Sequence, residues 1–191
     1  MFDSKQYWID RYERNRGNSG VGSYGVYATY KAKIINKFVL DNNIETVCEL
    51  GCGDGNQTSL FIIKKYFGYD VSSFIINENK KKIGIINNNY VFSDNINDFT
   101  SMKYDLTLSL DVIYHLIEEN VYHEYMSYLF DLSNKYVIIY SLNENIKLLE
   151  SHNRFRDFLL DVPKNFILLE KIENPLKGFD TQSDFYIFKC L

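Results

Sequence analysis

Between residues 24 and 40 the apolar positions Tyr27, Tyr30, Ile34, Ile35, Phe38 and Val39 recur at helical spacing, which predicts an amphipathic helix. Residues 45–50 form a short β-prone run that ends at a group of glycines. Beyond it the pattern predicts a helix over 57–66 and a short strand over 68–71. The next helix is capped by Ser72 or Ser73 and runs toward Lys82. Strands are expected at 90–92 and 104–110, a helix at 118–132, and a strand of continuous apolar character at 135–142. A helix over 146–160 follows, then two more strands, 166–172 and 185–190, separated mainly by a polar loop and suited to an antiparallel edge.

Strands that alternate with helices, several apolar throughout, indicate an α/β fold with a mainly parallel sheet covered on both faces. The strands number seven, and 191 residues suffice for one domain. Residues 1–42 then form an N-terminal lid and helix, and 43–191 the core. Hydrophobic residues make up 46% of the chain and charged residues 24%, enough apolar material for a real core and too much for disorder. A formal net charge of -4 provides no global field for nucleic acid. No apolar run approaches the ~18 residues of a membrane span, and the first residues lack the apolar segment of a signal peptide. A soluble, cytoplasmic protein is expected. Its three cysteines, Cys48, Cys52 and Cys190, have no paired metal-site spacing.

Two scarce residue types are unevenly placed. Seven of the ten glycines fall in two stretches, at 17–25 and 51–55, and all five arginines cluster as Arg11, Arg14, Arg16 and Arg154, Arg156. The second glycine stretch carries the most specific signal: Glu49-Leu50-Gly51-Cys52-Gly53-Asp54-Gly55 at the end of a strand. Glycines there let backbone approach a ligand at the carboxyl edge of the sheet. A dinucleotide site would carry Gly-x-Gly-x-x-Gly, whereas here Asn56 stands at the third glycine position. Glu49, close to the turn, would repel a pyrophosphate and suit a cationic group.

Glu-x-Gly-x-Gly-x-Gly after an apolar strand resembles the first motif of class I S-adenosylmethionine-dependent methyltransferases. The resemblance implies a Rossmann-like fold and S-adenosylmethionine as cofactor, with Glu49, Gly51, Cys52, Gly53 and Gly55 around its methionine part and ribose. Asp70, nineteen residues after Gly51, matches the acid that accepts both ribose hydroxyls. Asp94 matches the polar residue that meets the adenine amino group, with Val71, Asn95 and Leu110 also on the cofactor.

The same resemblance places the methyl acceptor beside residues 111–116. His115 is the leading general base, because its ordinary pKa lies near neutrality, and Asp111 would orient it or touch the cofactor. His123 sits in a polar helical context and reads as a surface residue. The Asn/Asp-Pro-Pro-aromatic pattern of nucleobase and glutamine amide methylation is absent, as is an Asp-Asn pair at 141–144 for a metal-assisted mechanism, so no metal is expected. Residues 14–25 would fold over the cofactor. Arg14, Arg16, Tyr24, Tyr114, His152, Arg154 and Arg156 are then candidate acceptor contacts, the arginines suiting a phosphate or carboxylate. The Tyr7-Trp8 start, the glycine-rich segment and His-x-Arg-x-Arg are similar to short bacterial methyltransferases that accompany surface-polysaccharide genes. That implies O-methylation of a sugar or phosphate-type group by a monomer or homodimer. N-methylation of a small amine is an alternative, as is an inactive cofactor-binding partner subunit.

Overall fold

The computed structural model describes residues 2–14, 17–145, 153–178 and 180–191. In chain order the main elements are α1 (Ser4–Glu13), α2 (Gly25–Asp41), β1 (Thr46–Leu50), β2 (Lys65–Tyr69), α3 (Ser73–Asn79), β3 (Tyr90–Ser93), β4 (Tyr104–Leu110), α4 (Glu119–Asp131), β5 (Ser133–Ser141), β6 (Phe166–Ile172) and β7 (Asp184–Cys190). The seven strands form one sheet in the order β3-β2-β1-β4-β5-β7-β6. All neighbouring pairs are parallel except those made by β7, which runs antiparallel to both β5 and β6. The expected mainly parallel sheet and its antiparallel end are therefore present, with the reversed strand inserted before the last one.

Each face of the sheet has its own core. On one face Ala32, Ile35 and Val39 of α2 and Ile76 of α3 cover Leu106 and Leu108. On the other, Tyr122, Met126 and Leu129 of α4 cover Val137, Ile139 and Phe188. The central strand β4 is buried along its whole length. Its leucines face α2, and the two hydroxyls that face α4 are satisfied there. Thr107 Oγ1 donates to Leu129 O at 2.7 Å, and Tyr125 OH donates to Ser109 Oγ at 2.7 Å.

Two local expectations are corrected, and one element is new. Residues 57–66 are not a helix: a single 3-10 turn, Thr58–Leu60, leads into extended chain and then into β2, which starts three residues earlier than expected. The helix expected at 146–160 falls partly on residues outside those described. From residue 153 the chain instead makes a bridge between Asn143 and Arg156 and then a 3-10 turn, Phe158–Asp161. Finally, α1 was not anticipated as a helix. Asp3 caps it by accepting from Gln6 N at 2.8 Å, and Ser4 and Tyr12 are buried on one side. Ser72, not Ser73, caps α3, accepting from Ile75 N.

The sheet order reverses between β1 and β4, so the chain leaves these neighbouring strands toward opposite faces and opens a crevice at their carboxyl ends. The glycine turn, Asp70 and residues 111–116 all meet there.

Candidate active site

The turn after β1 is closed by Gly51 N and Cys52 N, which both donate to Tyr69 O, at 2.8 and 2.9 Å. Gly51 has φ +85°, and a Cβ at that position would lie 2.5 Å from Val112 Cγ2. Gly53 has φ +57°, and a Cβ there would strike Ser19 Oγ. Both positions therefore require glycine for two independent reasons, backbone conformation and space. Gly55 lies away from the cleft and serves packing: Asn79 comes against it and donates from Nδ2 to Gly53 O at 2.8 Å.

Asp70 follows β2 and is buried. It accepts from Gly53 N at 3.0 Å and from Ser72 N at 3.1 Å. Burial pushes its pKa up from 3.8 to about 6, against the pull of the backbone donors. Glu49, on β1, is also buried and accepts from Tyr66 OH. Burial raises it to about 7, and the Tyr66 hydroxyl and Lys31 ammonium oppose the shift.

Lys31 of α2 is fully buried, and its Nζ lies 2.8 Å from Asp111 Oδ2. Asp111 sits directly after β4 with φ +59°, uncommon for a residue with a side chain. Its Oδ1 accepts from Tyr114 OH at 3.1 Å and from Ser183 Oγ at 3.0 Å.

The N-terminal segment roofs this floor. Tyr12 OH and Ser19 Oγ are 3.0 Å apart, Tyr24 OH donates to Asp54 at 2.7 Å, and Asn56 Nδ2 donates to Ser23 O at 2.6 Å. Trp8 meets His115 edge-on with ring centroids 4.9 Å apart. Between roof and floor is a cavity of about 110 Å³. Glu49, Gly51, Cys52, Gly53, Asp70 and Val71 line it from the glycine-turn side, and Leu110, Asp111 and His115 from β4. Gln57 also lines it, and its Oε1 is buried with no hydrogen-bond partner among the described residues.

The remaining expected residues lie elsewhere. Asp94 and Asn95 are exposed and outside the cavity lining; Asn95 caps the turn Ile96–Phe99. Tyr114 is turned to Asp111 and packs against Phe155, with centroids 5.7 Å apart. Tyr24 holds the roof through Asp54. Arg14 is exposed and pairs with Asp10 at 3.1 Å. Arg16 and His152 fall outside the described residues.

Arg154 and Arg156 do not face the cleft. Arg154 pairs with Glu119 and donates to Ile117 O at 3.2 Å. Arg156 donates to Leu116 O at 2.6 Å and to Ile117 O at 3.1 Å, with its guanidinium 4.2 Å from the Tyr122 ring centroid. Both hold the loop that carries His115. Sequence reasoning left Ser4, Trp8, Tyr12, Lys31, Gln57 and Tyr125 out of the site. Ser4, Trp8 and Tyr12 had a signal, the i, i+4, i+8 stripe of one helix face; Lys31 and Gln57 had none. Among the described residues no group of three His, Cys, Asp or Glu could hold a metal ion, and no helix is long and apolar enough to cross a membrane.

No protein-family model matches the chain, and no curated protein does either. Solved structures are similar in fold. The S-adenosylmethionine-bound magnesium protoporphyrin IX methyltransferase ChlM from Synechocystis PCC 6803 has TM-score 0.71 and 20% identity, over 100% of this chain and 99% of that one. The N-methyltransferase NodS from Bradyrhizobium japonicum WM9, in complex with S-adenosyl-L-homocysteine, has TM-score 0.73 and 13% identity, over 99% of each chain. An S-adenosylmethionine-dependent methyltransferase from Clostridium acetobutylicum ATCC 824 has TM-score 0.63 and 14% identity, over 97% of this chain and 98% of that one. The chain therefore has the Rossmann-like fold of class I S-adenosylmethionine-dependent methyltransferases.

Proposed function

We propose that this chain is an S-adenosylmethionine-dependent methyltransferase acting on a small acceptor. The observation that carries the proposal is Asp70: a buried acid, steadied by Gly53 N and Ser72 N, on a cleft whose floor is the bare backbone of Gly51 and Gly53. A carboxylate so placed keeps lone pairs for a vicinal diol such as a ribose.

Other residues fit the same cofactor. Gln57 Oε1 is a buried acceptor on the cleft without a donor among the described residues, and an ammonium would supply one. Glu49 and Asp111 set negative charge against a cationic ligand, and Lys31 offers a buried cation to a carboxylate. When bound, S-adenosylmethionine supplies the methyl group and its own leaving group. The work left to the protein is alignment, proton removal and exclusion of water. Alignment of the kind a rigid floor and roof provide is worth ~7–11 kcal/mol.

For a hydroxyl acceptor, His115 is the proposed base, a contribution of ~10²–10⁴-fold. It lines the cleft, its backbone N–H donates to Val112 O at 2.8 Å, and its ring is braced by Trp8. A sugar or phosphate group of a surface-glycan precursor rests on resemblance alone. The Arg154 and Arg156 groups expected for it are held by Glu119 and by loop carbonyls.

The test is calorimetric titration of S-adenosylhomocysteine into wild type and Asp70→Ala, with NAD as the control ligand. Micromolar binding, weakened at least tenfold by the substitution and absent for NAD, is expected. No binding of S-adenosylhomocysteine would sink the proposal. With an acceptor in hand, His115→Gln should lower turnover while leaving this affinity unchanged; unchanged turnover would favour an amine acceptor, whose lone pair attacks without a base.

A further inference from the structure

The part of the cleft beneath the first half of α1 differs chemically from the part over the glycine turn. Its walls include the Trp8 indole, the His115 imidazole and the aliphatic side chains of Leu116 and Val121. The Trp8 and His115 rings stand at 73° to each other in edge-to-face contact, so together they make a corner and not a parallel stack.

Three of the hydroxyls that line the cleft are already committed. Ser4 Oγ donates to Glu118 and accepts from Ile117 N at 3.0 Å. Tyr125 OH lies 2.9 Å from Leu50 O and 2.7 Å from Ser109 Oγ. Tyr12 OH is taken by Ser19. A polyol here could pair one hydroxyl with the His115 imidazole, and its others would exchange bonds to water for contact with hydrocarbon and rings, which is unfavourable for each hydroxyl left unpaired. A flat ring would instead bury apolar area and meet two aromatic partners at favourable angles. At the rim, next to Ser4 on the same helix, Lys5 is exposed, lines the cavity and enters no ion pair among the described residues.

We infer that this subsite takes a planar aromatic acid, its ring in the corner of Trp8 and His115 and its carboxylate toward Lys5. That such a ligand is the methyl acceptor rests on the methyltransferase proposal; that it binds here does not.

Trp8 is the single tryptophan of the chain, so fluorescence excited at the red edge of the indole band, where the sixteen tyrosines do not absorb, reports on this wall. The probes are 4-hydroxybenzoate, its neutral analogue 4-hydroxybenzamide, and glucose 1-phosphate, each titrated with and without saturating S-adenosylhomocysteine. Saturable quenching by 4-hydroxybenzoate is expected, with about threefold weaker binding for the amide and for Lys5→Gln with the acid. Glucose 1-phosphate should give no saturable response. Tighter binding of the sugar phosphate than of the aromatic acid would overturn the inference, as would no saturable response to the acid in folded protein. An acid affinity untouched by Lys5→Gln would overturn the assignment of Lys5. If the acid binds and S-adenosylhomocysteine does not, the subsite stands and the methyltransferase proposal falls; the reverse result removes the subsite only.

Discussion

Ser19 and Asp54 hold each other through two reciprocal hydrogen bonds across 35 residues of sequence. Ser19 N donates to Asp54 Oδ2 at 2.8 Å, and Asp54 N donates to Ser19 Oγ at 2.9 Å. The contact fastens the N-terminal roof directly onto the glycine turn. Any ligand that rests on Gly53 must enter under it or displace it.

Replacing Asp54 with alanine removes the acceptor for Ser19 N, Tyr24 OH and Asn56 N. At about 1 kcal/mol for each bond, discounted for exposure, opening of the roof should become roughly tenfold more frequent. Faster tryptic cleavage after Arg14 than in wild type would show it, with little change in the unfolding midpoint. Equal cleavage rates would mean that the roof is held by α1 alone.

The raised pKa values of Asp70 and Glu49, about 6 and about 7, set opposite pH trends for folding and for ligand binding. Both acids hold protons more tightly folded than unfolded. Their contribution to stability is therefore fully present below the ordinary carboxyl range and is lost as pH rises through about 6 to 7. Binding of a diol and a cation needs the ionised forms, so S-adenosylhomocysteine affinity should rise over the same interval. In Asp70→Asn both trends should shrink. Thermal midpoints and calorimetric affinities in a pH series check this, and an affinity that does not vary with pH contradicts it.

Gly51→Ala should destabilise the fold by about 1–3 kcal/mol, since φ is +85° and the new methyl would lie 2.5 Å from Val112 Cγ2. Adding Val112→Ala relieves the overlap but not the backbone strain. Denaturant titration should therefore recover only part of the loss. A neutral Gly51→Ala would show that the turn adjusts.

Lys31→Met strands the Asp111 carboxylate, which among the described residues retains only its bonds from Tyr114 and Ser183. Breaking such a buried pair costs about 3–5 kcal/mol, while replacing both charges costs much less. Lys31→Met with Asp111→Asn should accordingly be more stable than Lys31→Met alone. A double variant no more stable than the single one would show that the two charges are not coupled.

Much of the fold was legible from letters alone. The leucines of β4 alternate with Asp105, Thr107 and Ser109, and continuous burial follows from its place between β1 and β5. Residues 60–63 were misread because four apolar residues in a row fit a helix as well as a strand. Their exposures of 40, 7, 66 and 6% alternate, which is the signature of extended chain. For α1 the cap and the stripe of Ser4, Trp8 and Tyr12 were present, yet its sequence is mostly polar. It is held as a helix because that stripe docks over the cleft.

The sequence by itself determined what depends on near neighbours. The order of strands and helices follows from periodicity, and the glycine turn from the Gly51, Gly53 and Gly55 run at the end of a strand. Asp70 was expected from the resemblance to the methyltransferase motif, nineteen residues after Gly51. Only the tertiary structure decided which charges meet. Lys31 finds Asp111 80 residues away, and Arg154 finds Glu119 35 residues away. An arginine pair that suggested an anionic ligand is thereby assigned to holding a loop. The energy of a charge depends on the distance and burial of its partner, and neither quantity is encoded in local spacing.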